Sequence, residues 1–283
     1  MLSAPPSPAP ASSLDEATRR LDAWFAECPA TAVAFSGGVD SALVAYWARR
    51  ALGRDRATAW MANSPSLKRS DLALARTFCV THDIALRELA TGELENPAYA
   101  SNLIDRCYHC KNTLYTDLAH ALAAAGSTAW ICSGANLDDR GDYRPGLRAA
   151  AEARVRHPLL ECGLGKQLIR ELARAHGLAV WDKPATPCLS SRIPYGQPVT
   201  REKLSQIEAA EAWLHAAGFP INRVRHFGER AVIEVPASEI ARLETVRNEL
   251  DAQLTALGFA AFHIDPDGFA SGKLNRGLVS AAA

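Results

Sequence analysis

The stretch Ala34-Phe35-Ser36-Gly37-Gly38-Val39-Asp40-Ser41 constrains this chain more than any other. An apolar run, Thr31 to Phe35, reads as a short buried strand, and the apolar-rich run Ala42 to Ala51 reads as a helix. A strand, a glycine turn and a helix start make an anion site, because the first backbone N–H groups of a helix are unpaired and its dipole favours negative charge. Gly37 and Gly38 let the backbone curl close to a phosphate where a side chain would stand in the way. Ser36 and Ser41 add hydroxyl donors, and Asp40 can hold the Mg²⁺ that accompanies a polyphosphate. The spacing is neither G-x-x-x-x-G-K-[ST] nor the dinucleotide pattern G-x-G-x-x-G.

SGGVDS resembles the pyrophosphate loop of the PP-loop ATP pyrophosphatases, which cut ATP between its α- and β-phosphates and activate a substrate oxygen as an adenylate. The rest of the pattern agrees. Strands at 56–61, 84–89 and 128–133 alternate with helices at 69–81, 111–125 and 166–176, preceded by a helix at 14–27 that a Ser13/Glu16 capping box opens. Such alternation implies βαβ units, an α/β fold with a Rossmann-like parallel sheet, and a nucleotide at the C-terminal strand ends. Near Pro198 the pattern changes. Thr200 caps a helix, residues 222–227 and 231–235 read as a hairpin around Gly228, Ser238 caps one long helix ending at Gly258, and 259–264 reads as a last strand. The expected division is a disordered Pro/Ala/Ser-rich tail at 1–13, a PP-loop domain at 14–198, a small α+β substrate or oligomerisation domain at 199–276, and a tail at 277–283.

Charge and composition narrow the class. Lys and Arg number 31, as do Asp and Glu, so no broad basic face for nucleic acid is expected. No apolar run of membrane length exists, and the N-terminal stretch lacks the charged and apolar regions of a secretion signal, so a cytoplasmic protein is expected. Seven cysteines, an odd number, point to thiol or metal chemistry rather than a disulfide frame.

Cys107 and Cys110 form a Cys-x-x-Cys in Arg106-Cys107-Tyr108-His109-Cys110-Lys111, and Cys188 sits in a stiff proline-flanked loop, Pro187-Cys188-Leu189-Ser190-Ser191-Arg192. Three cysteines suit a 4Fe-4S cluster with one open iron. A zinc site with His109 or water as fourth ligand, and a redox disulfide, stay open on spacing alone. Cys28, Cys79, Cys132 and Cys162 lie in or beside apolar elements and are assigned to the core. The run Ser133-Gly134-Ala135-Asn136-Leu137-Asp138-Asp139 follows a strand; Gly134 could admit a nucleotide closely, and Asn136, Asp138 and Asp139 could bind ribose or Mg²⁺. Arg223 and Arg225, at period two, share one strand face suited to phosphate or carboxylates, or else an exposed face paired with Glu211 or Glu234.

In order, SGGVDS, RCYHCK, SGANLDDRGDYRPG, HPLLECGLGKQLIRELARAHGL, WDKPATPCLSSRIPYG and RVRHFGERAVIEV resemble the LarE family over residues 31–276. The resemblance implies a sulfur-inserting enzyme of nickel-pincer nucleotide cofactor synthesis, which adenylates a carboxylate of pyridinium-3,5-biscarboxylic acid mononucleotide and makes a thiocarboxylate. It implies ATP or pyrophosphate binding by Ser36, Gly37, Gly38, Val39, Asp40, Ser41, Met61 and Gly134, and catalysis by Cys188, Asp40, Lys111 and Arg192. Arg223 and Arg225 would clamp the substrate, and Glu211 and Glu234 would bind a divalent metal. Two sulfur sources occur in the family: a sacrificed cysteine at the position of Cys188, or a cluster-bound sulfide held by three cysteines, which Cys107, Cys110 and Cys188 match. The expected cofactors are thus ATP, Mg²⁺ and the 4Fe-4S cluster; a homo-oligomer, by resemblance a hexamer, and other proteins of the pathway are the expected partners. Another PP-loop thiolase or amidotransferase-type synthetase, and a non-catalytic nucleotide-binding or metal-storage protein, are the alternatives. Neutral charge and the lack of a glutaminase-length region count against the first two of these.

Overall fold

The computed structural model describes residues 10–139 and 145–270. The expected tails, and Asp142, Tyr143 and Arg144 of the DYRPG segment, lie wholly or mostly outside that range. The chain forms two compact units, one of residues 1–93 and 105–186, the other of 94–104 and 187–283.

In the first unit α1 (Leu14–Ala26) leads to β1 (Thr31–Ala34), α2 (Val39–Leu52), β2 (Ala57–Ala62), α3 (Arg69–Thr81) and β3 (Ala85–Leu89). The strands pair in the order β3-β2-β1-β4, all parallel. Every residue of β1 is buried, as a central strand covered on both faces requires. Because β1 has β2 on one side and β4 (Trp130–Cys132) on the other, the strand order reverses at β1 and β4. That is the switch point where open parallel sheets bind ligands. Leu21, Phe25, Leu43, Trp47 and Met61 fill the core beside the sheet, and the buried Trp47 indole donates to Asp22 Oδ1 at 2.8 Å.

Two local expectations are corrected. Ser13 Oγ accepts the Glu16 N–H at 3.2 Å, but the Glu16 carboxylate turns to the backbone and hydroxyl of Ser12 instead of closing a box on Ser13. The helix expected from Lys111 follows the short α4 (Pro97–Ala100) and begins at Arg106 instead: α5 (Arg106–Ala124) includes both cysteines of the Cys-x-x-Cys. Three further helices complete the unit: α6 (Pro145–Glu152), α7 (Pro158–Glu161) and α8 (Lys166–Ala175).

In the second unit α9 (Arg201–Ala216), capped by Thr200, packs on a sheet of β5 (Arg223–Phe227), β6 (Arg230–Glu234) and β7 (Ala261–Ile264). The hairpin β5–β6 is antiparallel and turns at Gly228, whose φ of 69° only glycine adopts freely; β7 adds parallel to β6. The single long helix expected after Ser238 is instead a 3₁₀ turn at 237–239, α10 (Ile240–Thr245) and α11 (Arg247–Ala256), broken at Val246. Its apolar stripe, Leu243, Leu250 and Leu254, stays buried across the break. Residues 94–104 join this unit because the Asn102 side-chain amide donates to the carbonyls of Ile193, Pro194 and Gln197 at 3.2, 2.8 and 2.9 Å. Tyr99 adds a buried hydroxyl contact to Ser190 at 2.7 Å. The units therefore divide after Thr186, not near Pro198. No helix among the described residues is long and apolar enough to cross a membrane.

His226 is buried on β5, with Nε2 against Gln206 Oε1 at 2.9 Å and Nδ1 without a partner. Burial, with the Lys203 charge adding, pushes its pKa down to about 4. The folded state therefore keeps His226 neutral while the unfolded chain takes up a proton below its ordinary value near 6.5. Stability is full above that value and falls as pH drops toward 4. Urea unfolding at pH 7 and pH 5 should show the wild type losing about 2 kcal/mol more than His226→Gln; equal losses would refute the assignment. His157, buried and also shifted down, acts in the same direction in both proteins and cancels in the comparison.

Candidate active site

The loop between β1 and α2 is built from its own hydroxyls. Ser41 Oγ accepts the Ser36 N–H at 3.1 Å, lies 3.0 Å from Ser36 Oγ and donates to the Gly38 carbonyl at 3.1 Å. Gly37 takes a φ of 72°, and Gly38 stands at the N-cap of α2 with no side-chain cap, which leaves helix-start N–H groups for an anion. Val39 is buried and anchors the first turn of α2 in the core. Met61 is likewise buried, its Cε 3.9 Å from where a side chain on Gly37 would begin, so its side chain supports the loop from below.

The loop after β4 presses on the same helix start. A Cβ on Gly134 would lie 2.6 Å from Ser41 N and 2.9 Å from the Asp40 carbonyl carbon. The glycine is thus required for backbone to meet backbone. Asn136, buried, donates from Nδ2 to Asp40 Oδ1 at 3.4 Å. Asp138 and Asp139 spend oxygens on the backbone: Asp139 accepts the Asn136 N–H at 3.0 Å, and Asp138 accepts the N–H of Lys166.

Three residues here escaped the sequence reading. The Lys166 ammonium donates to Asp40 Oδ2. Lys183 donates to the Gly37 carbonyl at 3.1 Å and to Asp71 Oδ1 at 2.9 Å, tying the phosphate loop to α3. The one signal for Lys166 is its place: a cation in a first helical turn, behind Gly165, is opposed by the helix dipole and calls for a reason. Lys183 and Asp71 carry no such signal. Both oxygens of Asp40 are thus engaged, Oδ1 by Asn136 and Oδ2 by Lys166.

Cys107 and Cys110 stand three apart on the first turn of α5 and so share a helical face. Cys107 is exposed and Cys110 half-buried. His109, a rival metal ligand, has Nε2 3.2 Å from Asp105 Oδ2. Lys111 of α5 meets α6 at Gly146, its Cγ 3.1 Å from where a Cβ on that glycine would lie. Cys28, Cys79 and Cys162 are buried, and burial pushes each thiol up to about 12; Cys132 is raised further. These four are core residues, as expected. Among the described residues no group of three or more His, Cys, Asp or Glu is placed to hold a metal ion.

The second unit carries Cys188, exposed at the start of a 3₁₀ turn, Leu189–Arg192. Arg192 lies fully buried. Its Nε and Nη2 donate to Glu211 at 2.8 and 3.1 Å, and its Nη1 donates to the carbonyls of Pro187 and Cys188 at 2.5 and 3.0 Å and to Ser191 Oγ at 2.9 Å. Arg225 repeats the device: two bonds to Glu234 at 3.0 and 2.9 Å and one to the Ser191 carbonyl at 2.9 Å. Arg192 and Arg225 are therefore positioning residues for the cysteine loop. Glu211 and Glu234, expected as metal ligands, are spent on guanidiniums, and Glu211 also accepts the Val224 N–H at 3.1 Å; this donor set does not fit a divalent ion. Arg223 donates to the Asn222 carbonyl at 2.7 Å. Burial, then the charge of Arg192, lowers its pKa, so an anion beside it would offset that cost.

A loop of this build at the switch point of a parallel sheet defines an ATP-using α/β enzyme of the PP-loop class, and a model of the NAD synthase family matches residues 17–101. The chain is 36% identical to pyridinium-3,5-bisthiocarboxylic acid mononucleotide synthase of Lactiplantibacillus plantarum, over 88% of this chain and 90% of that protein. It is 40% identical to an uncharacterized protein of Synechocystis sp., over 94% of this chain and 99% of that one. An uncharacterized protein of Methanocaldococcus jannaschii is 28% identical over 56% of this chain and 61% of its own. The chain belongs to the family of the Lactiplantibacillus synthase, the LarE family.

Removing Glu211 would leave Arg192 charged, buried and unpaired. Glu211→Ala should cost about 3–5 kcal/mol in urea unfolding; a variant as stable as wild type that instead loses a bound divalent metal would restore the metal-ligand role. Gly134→Ala should cost about 1–3 kcal/mol, because the Ser41 and Asp40 backbone cannot move aside. Gly146→Ala, which meets the Lys111 side chain at 3.1 Å and the Cys107 carbonyl oxygen only at 3.7 Å, should cost clearly less in the same assay.

Proposed function

We propose that this protein inserts sulfur into a pyridinium-3,5-biscarboxylic acid mononucleotide, turning carboxylate into thiocarboxylate at the expense of ATP. The observation that carries this reading is the phosphate loop itself, with Ser36, Gly37 and Ser41 shaping an anion cradle beside Asp40, in a chain whose relative is named as the synthase of the bisthiocarboxylic product.

A carboxylate accepts a sulfur nucleophile poorly because oxide would have to leave. Attack of a carboxylate oxygen on the α-phosphorus of ATP breaks the bond to pyrophosphate and forms an acyl-adenylate. Ser36, Gly38, Val39 and Ser41 hold the departing pyrophosphate through hydroxyl and backbone donors, and Asp40 would hold its Mg²⁺. Sulfur then adds to the carbonyl carbon, and AMP leaves with the electron pair of the broken C–O bond. Arg223 supplies positive charge for the substrate's phosphate or carboxylates, with Lys111 near the reacting group. Arg192 and Arg225 hold the carbonyls of the Cys188 loop. A 4Fe-4S cluster, if bound, would be held by Cys107, Cys110 and Cys188 and would supply a labile sulfide. A cytoplasmic homo-oligomer serving other proteins of the nickel-pincer pathway belongs to the same reading and is supported by the resemblance alone.

A second route is favoured by the exposure of Cys188 on a loop whose carbonyls are tied. Its thiolate displaces AMP to give a thioester. Loss of the Cys188 Cα proton then breaks the Cβ–S bond, leaving thiocarboxylate on the substrate and dehydroalanine in the chain.

Anaerobic purification should give an iron- and sulfide-loaded wild type and a colourless Cys110→Ala. An iron-free wild type whose intact mass falls by about 34 Da, one H₂S, after a turnover would replace the cluster with the sacrificed cysteine. Absence of pyrophosphate release with ATP and the biscarboxylate would overturn both routes.

A further inference from the structure

We infer that the first unit carries a second ligand site at the starts of its parallel strands, the end opposite the phosphate loop, and that this site takes a single aromatic ring bearing carboxylates. It stands apart from the sulfur-insertion reading and shares no residue with it. A hollow forms there for local reasons. On the sheet face that α5 covers, the register sets Ala85, Thr58, Ala32 and Ile131 side by side across β3, β2, β1 and β4. The first three are small. Helix α5 reaches this face with Leu118 and Leu122, which pack on Ala32, and then ends at Ala124. The β2–β3 half is left open, as a cavity of about 280 Å³ between the strand starts and the end of α5.

Its floor is a fixed aromatic. The half-buried Trp60 indole donates to Thr58 Oγ1 at 2.8 Å, and that hydroxyl donates to the Thr31 carbonyl at 3.2 Å. A ring held in this way offers an apolar platform at little entropic cost on binding. Its walls are cationic. Arg87 is the register partner of Trp60 on β3, so the two side chains share this face. Arg87 is exposed, and among the described residues it makes no hydrogen bond, ion pair or ring contact. Its neighbour Glu88 belongs to the other face, where Arg76 takes both carboxylate oxygens at 2.6 and 2.8 Å. Arg56 also lines the cavity and spends only Nε, on the Leu52 carbonyl at 3.1 Å. Asp55 is the one acid among the lining residues, so two guanidiniums against one carboxylate leave the hollow positive. Free guanidinium forks match carboxylates, and the Trp60 platform matches a flat ring. The volume stands at the small end of ligand pockets, with room for one ring and its carboxylates but not for a nucleotide.

The test is titration of the full chain with isophthalate (benzene-1,3-dicarboxylate) and with benzene-1,3-dimethanol, its uncharged counterpart, read by calorimetry and by tryptophan fluorescence. Wild type should bind isophthalate saturably and the diol about tenfold more weakly or worse. Arg87→Ala removes an exposed side chain with no partner to lose, and should weaken isophthalate by about tenfold. Trp60→Phe should abolish most of the fluorescence response. Arg223→Ala, at the arginine proposed to meet the sulfur-insertion substrate, should bind isophthalate as wild type does. No saturable binding to wild type, full affinity in Arg87→Ala, an undiminished fluorescence response in Trp60→Phe, or loss of binding in Arg223→Ala would each overturn the site.

Discussion

Backbone meets backbone where the loop after β4 touches the first turn of α2, at a point with no room for a methyl group on Gly134. That contact joins the two strand ends at which the sheet reverses its order, and everything at the phosphate cradle is set from it. Asn136 and Asp138 follow Gly134 on the same loop, so fixing the glycine also fixes the amide facing Asp40 and the carboxylate that caps Lys166. On the opposite side Lys183 grips the Gly37 carbonyl and Asp71. The cradle is thus held from both sides by neutral backbone contacts and single ion pairs, and its own hydroxyls close the centre.

The second unit solves a different problem by a different means. A loop carrying an exposed thiol exposes carbonyls as well, and those carbonyls need donors. Arg192 and Arg225 supply them from inside, each anchored by a buried glutamate. A buried ion pair adds little net stability, since desolvation consumes most of the attraction. Its use here is geometric: a guanidinium has donors left over after a bidentate carboxylate contact, and their directions are fixed. Four acceptors of the Cys188 loop, the Pro187, Cys188 and Ser191 carbonyls and the Ser191 hydroxyl, are held this way.

Much of the fold was legible in the residues. The hydrophobic runs of β1 and β2, the apolar faces of α3 and α9, the Thr200 cap and the Gly228 turn all follow from local periodicity and turn chemistry. The phosphate loop was legible because glycine and hydroxyl residues at fixed spacing have one efficient use between a strand and a helix. What escaped has physical reasons. Val246 breaks a helix without interrupting its apolar stripe, so the period carried no mark of it. The start of α5 at Arg106 has a common capping residue, Asp105, at its N-cap, but no cap bond from that side chain. Arg223 and Arg225 share one strand face and Glu234 was open to them as a partner, yet nothing local shows that Arg225 points its remaining donor at Ser191. Lys166, Lys183 and Asp71 act across more than a hundred residues of chain in each of their pairings with Asp40, Gly37 and one another, and a single sequence does not display such distances.

The segment 94–104 leaves the first unit, lends Tyr99 and Asn102 to the second, and the chain then returns. One amide on that excursion satisfies three carbonyls near the start of the second unit. A fragment beginning at Pro187 would expose those three acceptors, and one ending at Thr186 would carry their donor to no purpose. No single cut, and hence no single gene fusion, separates these two bodies cleanly.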